Sequence, residues 1–208
     1  MIGIKRMENF RAAINEVDRN KIDGCIMELG VWRGGAMILA AALQKEAQIS
    51  RNLYLFDAFG ELPNDGYGES RDYLAVDINT VIDAFKTFGV FDNDRVHFVK
   101  GVFENTTLEW QNRSDSIAVL RVDGNFYDSY QDAMYAMYEN VPVGGIVIFD
   151  DIMSHPSVMR FWKDFKKDQD LPEELVQIDD HSAWFRKIKA FKVDLSKKHK
   201  GQDVNANK

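Results

Sequence analysis

The sequence predicts an α/β fold, a mainly parallel sheet with helices on both faces, built as one domain over residues 1–190. Two observations carry this. Short apolar runs (CIMEL, NLYLFD, VHFVK, IAVLRVD, IVIFD) alternate with stretches of helical periodicity, and near-continuous apolar runs are what strands buried on both faces require. A glycine-rich segment, ELGVWRGGA, then joins the first strand to the first long helix, a turn that doubly wound sheets use.

Taken in order, Phe10, Ala13, Ile14 and Val17 recur at helical spacing before the strand CIMEL. Ala36 to Lys45 is rich in strong helix formers and leads to the strand NLYLFD. Glycine, proline and aspartate from Gly60 to Gly68 mark a loop. Ile78, Val81, Ile82, Phe85 and Phe88 predict a helix closed by Gly89. VHFVK and IAVLRVD follow as strands with a turn region between them. Ser129 suits the N-cap of a helix through Glu139, and PVGG turns the chain into IVIFD. Val158, Phe161, Trp162 and Phe165 stripe a helix from about Ser157 to Lys166, while ELVQID and SAWFRKIK read as extended pieces. Periodicity is lost from position 191, so residues 191–208 are expected to form a flexible tail.

Of the 208 residues, 45% are hydrophobic and 28% charged, which supports a large core and excludes disorder as the default. A net charge of −7 argues against a surface that neutralises phosphates, so no nucleic-acid partner is expected. Cys25 is the one cysteine, which rules out an intramolecular disulfide, and its apolar setting predicts a buried thiol. With no apolar stretch long enough to span a bilayer and no secretory signal core, the chain is expected to be cytoplasmic, without a membrane partner. A homo-oligomer is left open, with Trp162 and Trp184 as interface candidates.

The glycine loop departs from the dinucleotide fingerprint, because after Gly30 the next glycines are Gly34 and Gly35. Glu28, just before it, suits a ligand's ammonium group. Asp57 ends the second strand, where a carboxylate suits either a ribose diol or a turn cap. Asp123 ends one apolar strand, and Asp150 and Asp151 end the next, so three carboxylates should meet at the sheet edge where ligands bind. A hard divalent cation would relieve their repulsion, although aspartate also ends strands simply as a turn former. Asn125, Tyr127 and Asp128 surround Asp123.

Six segments in this order resemble the macrocin-type (TylF-type) sugar O-methyltransferases: MELGVWRGGA, LYLFDAFGELP, LAVDINTVIDAFKTFGVFDNDRVHFVKGVFENT, LRVDGNFYDSYQDAM, VPVGGIVIFDDI and IDDHSAWFRK. The resemblance implies a Rossmann-like class I methyltransferase fold with an antiparallel last strand. It also implies S-adenosylmethionine as methyl donor and Mg²⁺ bound by Asp123, Asp150 and Asp151. One departure is Asn125, where family members usually carry an acid. The acceptor expected is a hydroxyl of a sugar or glycosylated small molecule, with a catechol or a non-catalytic binding protein as alternatives.

In this reading a Mg²⁺ held by the three aspartates acidifies the acceptor hydroxyl, and Asp123 takes its proton. His181 is the alternative base, though it also reads as an exposed loop residue. The donor pocket is expected from Glu28, Gly30, Gly34, Gly35, Asp57 and Gly101, and Trp32, Phe59 and Phe103 suit walls of the donor or acceptor pocket, although aromatics so placed more often serve packing. Arg33 suits either the donor's carboxylate or a surface ion pair, and the Tyr130, Met134, Met137 and Tyr138 group reads as core.

Overall fold

A computed structural model describes residues 2–60, 72–111 and 113–199. Apart from Gly60, the predicted loop from Gly60 to Gly68 lies outside the described residues. Seven strands form one sheet: β1 (Cys25–Leu29), β2 (Leu53–Asp57), β3 (Val96–Lys100), β4 (Ile117–Val122), β5 (Ile146–Phe149), β6 (Val176–Gln177) and β7 (Ala183–Arg186). Their spatial order is β3-β2-β1-β4-β5-β7-β6. The first five strands are mutually parallel, whereas β7 runs antiparallel to both β5 and β6. The order reverses between β1 and β4, and the crevice at the carboxyl ends of these strands is where such sheets receive ligands.

Six α-helices among the described residues cover the sheet: α1 (Ile4–Arg19), α2 (Gly35–Ala47), α3 (Ile78–Thr87), α4 (Phe103–Gln111), α5 (Tyr127–Met137) and α6 (Pro156–Asp168). Strand alternation sends side chains to two cores. Ile26, Leu55, Val119 and Ile148 meet residues of α1, α2 and α3 on one face, while Met27, Phe56, Leu120 and Phe149 meet those of α5 and α6 on the other. The buried residues of α1 are the predicted Phe10, Ala13, Ile14 and Val17. Those of α6 are the predicted Val158, Phe161, Trp162 and Phe165, each contributing roughly 1.5–3 kcal/mol by burial. Tyr130, Met134, Met137 and Tyr138 are fully buried, as core requires. Burial pushes the Cys25 thiol up to about 12.

Four local expectations change. The turn region predicted before β4 contains α4. Its sequence FENTTLEWQ carries no apolar stripe, yet parallel strands need a crossover and a helix supplies it. Helix α5 starts at Tyr127 after a Phe126 cap with no side-chain bond, so Ser129 lies inside the helix. Phe88 falls one residue past the end of α3 and is 68% exposed, while Gly89 (φ 65°) closes the helix as expected. Trp162 is packed in the core, so it offers nothing to an interface, and Trp184 is half-buried.

Residues 191–199, in the expected tail, dock on α5 and α6: Gln131 donates to the His199 carbonyl (2.7 Å) and Gln169 to that of Asp194 (3.1 Å). Scattered bonds of this kind leave no periodic trace in the sequence. Residues 200–208 lie outside the described residues. No helix among the described residues is long and apolar enough to cross a membrane.

Candidate active site

Backbone hydrogen bonds step across the carboxyl edge of the sheet. The Gly30 N–H donates to Phe56 O and that of Asp123 to Leu29 O (both 2.8 Å), and that of Asp150 donates to Val122 O (2.9 Å). This stepping sets the loops after β1, β4 and β5 side by side. Gly30 holds φ 89°, and a Cβ there would lie 1.9 Å from the Asp123 carbonyl oxygen, so only glycine lets the two loops approach. Four non-glycine residues described on this edge, Trp32 (φ 47°), Phe59 (φ 46°), Asn125 (φ 62°) and Asp151 (φ 55°), also hold left-handed backbone. Such conformations cluster where a site fixes its groups at some cost in strain.

Asp57 is the cap that the sequence left open. Its carboxylate accepts from the N–H groups of Val31 (2.8 Å), Trp32 (3.0 Å) and Phe59 (3.1 Å), tying the end of β2 to the glycine loop. The Trp32 indole donates to Tyr73 O at 3.0 Å, and the Arg33 guanidinium lies 5.2 Å from the centre of the same ring.

The strand register explains the charge centre. Glu28 of β1 stands beside Arg121 of β4, and both side chains are almost fully buried. Arg121 forms a close ion pair with Glu28 and reaches Asp150 (2.6 Å) and Asp123 (3.1 Å). Arg6, from α1, donates to both oxygens of Asp150 (2.9 and 3.1 Å) and pairs with Asp179 at 3.1 Å. The Ser182 hydroxyl also donates to Asp150.

These partners divide the carboxyls. Burial raises Asp150, but Arg121 and the bonds with Asp123, Ser182 and Arg6 more than reverse that, holding it well below the usual carboxylate range. Burial, with the neighbouring carboxylates, pushes Asp123 well above that range and raises Asp151. Burial outweighs Arg121 at Glu28 and pushes its carboxyl up to about 7. The second Glu28 oxygen, Oε2, is buried without a hydrogen-bond partner among the described residues.

One cavity of about 990 Å³ collects most of the expected groups. Glu28, Gly30, Trp32, Gly35 and Asp57 line it on the glycine-loop side, with Gly101 and Phe103 beside them. Asp123, Asn125, Asp150 and Asp151 line the rest of the edge. Three expected residues stand elsewhere. Gly34 caps α2 at φ 78°, and Phe59 packs edge-on against Phe98 at 5.7 Å. His181 is exposed, outside the cavity lining, and its backbone bonds to Asp179 and Met153.

The arginines were missed. Arg121 interrupts an apolar strand, and a buried charge there demands a counter-charge, so a signal existed. Arg6 left none, since its partner lies 144 residues away.

The cluster suits a hard cation chemically, because the carboxylates of Glu28, Asp123, Asp150 and Asp151 outnumber the guanidinium groups of Arg6 and Arg121. Among the described residues, however, no three acidic or imidazole side chains stand at the spacing of a formed metal cage. Asp151 has no arginine at bonding distance among the described residues, and lies 4.0 Å from the His155 ring.

A family model described as macrocin O-methyltransferase (TylF) matches residues 1–187. The chain is 33% identical over 201 residues to demethyldecarbamoylnovobiocin O-methyltransferase of Streptomyces niveus, covering 91% of this chain and 76% of that protein. It is 31% identical over 163 residues to 8-demethyl-8-(2,3-dimethoxy-alpha-L-rhamnosyl)-tetracenomycin-C 4'-O-methyltransferase of Streptomyces olivaceus, covering 73% and 61%. The solved O-methyltransferase NovP superposes with a TM-score of 0.83 at 31% identity, over 90% of this chain and 81% of that one.

Proposed function

The chain belongs to the macrocin O-methyltransferase (TylF) family, and from that premise we propose that it moves the methyl group of S-adenosylmethionine to a hydroxyl of a sugar or glycosylated small molecule. The observation that carries this is the shared cavity in which the glycine loop, and beside it a buried Glu28 oxygen with no partner among the described residues, meets a second group of carboxylates. The rhamnosyl group in the name of the Streptomyces olivaceus relative supports a sugar acceptor.

Glu28 Oε2 is the acceptor for the donor's ammonium group, since a buried oxygen without a partner is costly until something donates to it. Asp57 accepts from three loop amides and keeps one lone pair, on Oδ1, for a ribose hydroxyl. Gly30 and Gly35 let the donor approach the backbone, and Phe103 forms an apolar wall of the same cavity.

Asp123 is the base. It lines the cavity beside Asp150 and Asp151, where its carboxylate can take the proton of an acceptor hydroxyl. The exposed His181 does not share that position. Transfer breaks the sulfonium–methyl bond, forms an oxygen–methyl bond, and leaves the acceptor's proton on Asp123. Asp123, Asp150 and Asp151 would hold a divalent cation such as Mg²⁺, which supplies a Lewis acid that lowers the pKa of the acceptor hydroxyl.

Calorimetric titration with S-adenosylhomocysteine tests the donor assignment. The expected result is a Kd on the order of micromolar (~8 kcal/mol), with NAD not binding. Glu28→Gln should weaken binding by about tenfold, the loss of one charge-assisted contact. Wild-type affinity should fall as pH drops below about 7, because protonation removes the Glu28 charge that faces the ammonium. A variant with unchanged affinity would remove Glu28 from the donor site, and absence of binding would remove the donor assignment.

A further inference from the structure

Arg6 continues the buried stripe of α1 one turn beyond Phe10, so the helix that packs on the sheet carries a cation to the end of β5. Both Asp150 oxygens are occupied. Oδ1 accepts from Ser182 and Arg6, and Oδ2 from Arg121 and Arg6, which uses the lone pairs a carboxylate has. A cation that takes Asp150 as a ligand must therefore displace a donor.

The two arginines differ in how easily they leave. Arg121 is 3% exposed on a central strand and also holds Glu28 and Asp123. The Arg6 side chain is 14% exposed, stands in the first turn of α1 and bridges Asp150 and Asp179. Arg6 is the displaceable donor.

We propose that Arg6 is the resident counter-cation of Asp150, that it competes with a divalent cation for that carboxylate, and that cation binding releases the first turns of α1. This rests on the divalent-site reading above. Linkage makes the coupling reciprocal: what the cation does to Arg6, Arg6 does to the affinity for the cation.

The test uses Mn²⁺ as the probe on the full chain, with binding read by its electron paramagnetic resonance and α1 read by amide hydrogen exchange. In the wild type, Mn²⁺ should speed exchange in the first turns of α1 by about tenfold, within the usual range of coupling between sites. Arg6→Met keeps the stem and should bind Mn²⁺ about tenfold more tightly, with α1 exchange no longer responding to the ion. Asp151→Asn should lose Mn²⁺ binding. If Mn²⁺ binds and Asp151→Asn abolishes it, but wild-type α1 exchange does not move, Arg6 is no competitor and the divalent reading stands. If neither the wild type nor Arg6→Met binds Mn²⁺, the divalent reading fails and this proposal with it. Should Arg6→Met not fold, the wild-type exchange response decides alone.

Discussion

Gly30→Ala should lower stability by roughly 3–5 kcal/mol and remove donor binding, because it combines left-handed strain with overpacking against backbone. The added Cβ would lie 1.9 Å from the Asp123 carbonyl oxygen and 2.8 Å from its carbonyl carbon. Neither strand end can yield, since Gly30 is bonded to Phe56 O and Asp123 to Leu29 O. Urea unfolding should show a lower midpoint with an unchanged slope. Gly35→Ala is the control for stability alone, since Gly35 also lines the donor cavity: a Cβ there would meet nothing within 4 Å of protein, and a methyl at the start of α2 should leave stability unchanged or slightly raised. A Gly30→Ala protein with wild-type stability and donor affinity would contradict the close approach of the two loops.

Arg121→Met should cost about 3–5 kcal/mol at neutral pH, the usual penalty for stripping a buried charge group of its partner. Glu28, Asp123 and Asp150 would all lose the guanidinium they share. The pH dependence has a definite sign. In the wild type, the lowered Asp150 carboxyl contributes stability that is present above its unfolded pKa and lost as pH falls through the folded value. Without Arg121, the buried carboxyls gain affinity for protons, so acid relieves the repulsion. The deficit should therefore be largest near neutrality and shrink as pH falls towards about 5. Unfolding curves at both pH values check this. Equal stability at neutrality, or a deficit that grows on acidification, would refute the role given to Arg121.

Elements whose burial repeats along the chain are legible in the sequence. CIMEL became β1 with every side chain buried, and the four apolar residues read in α6 are the ones it buries. Helix α4 was not legible, because topology rather than a stripe requires it. The three carboxylates were readable from strand-end positions alone, since parallel strands deliver their carboxyl ends to one edge. The charges that neutralise them were not: Arg6 and Asp150 meet only through packing of α1 against the sheet. Phe59 takes the packing role that aromatics in such positions more often have, joining Phe98 in the core.

The central claim, methyl transfer to a sugar hydroxyl at this edge, is tested most directly with methyl-labelled S-adenosylmethionine and a panel of glycosides, with a free catechol as comparison. The expected result is label in a glycoside, lost on addition of chelator and lost in Asp123→Asn. Label that appears in the catechol and in no glycoside, or that survives Asp123→Asn at the wild-type rate, would contradict it.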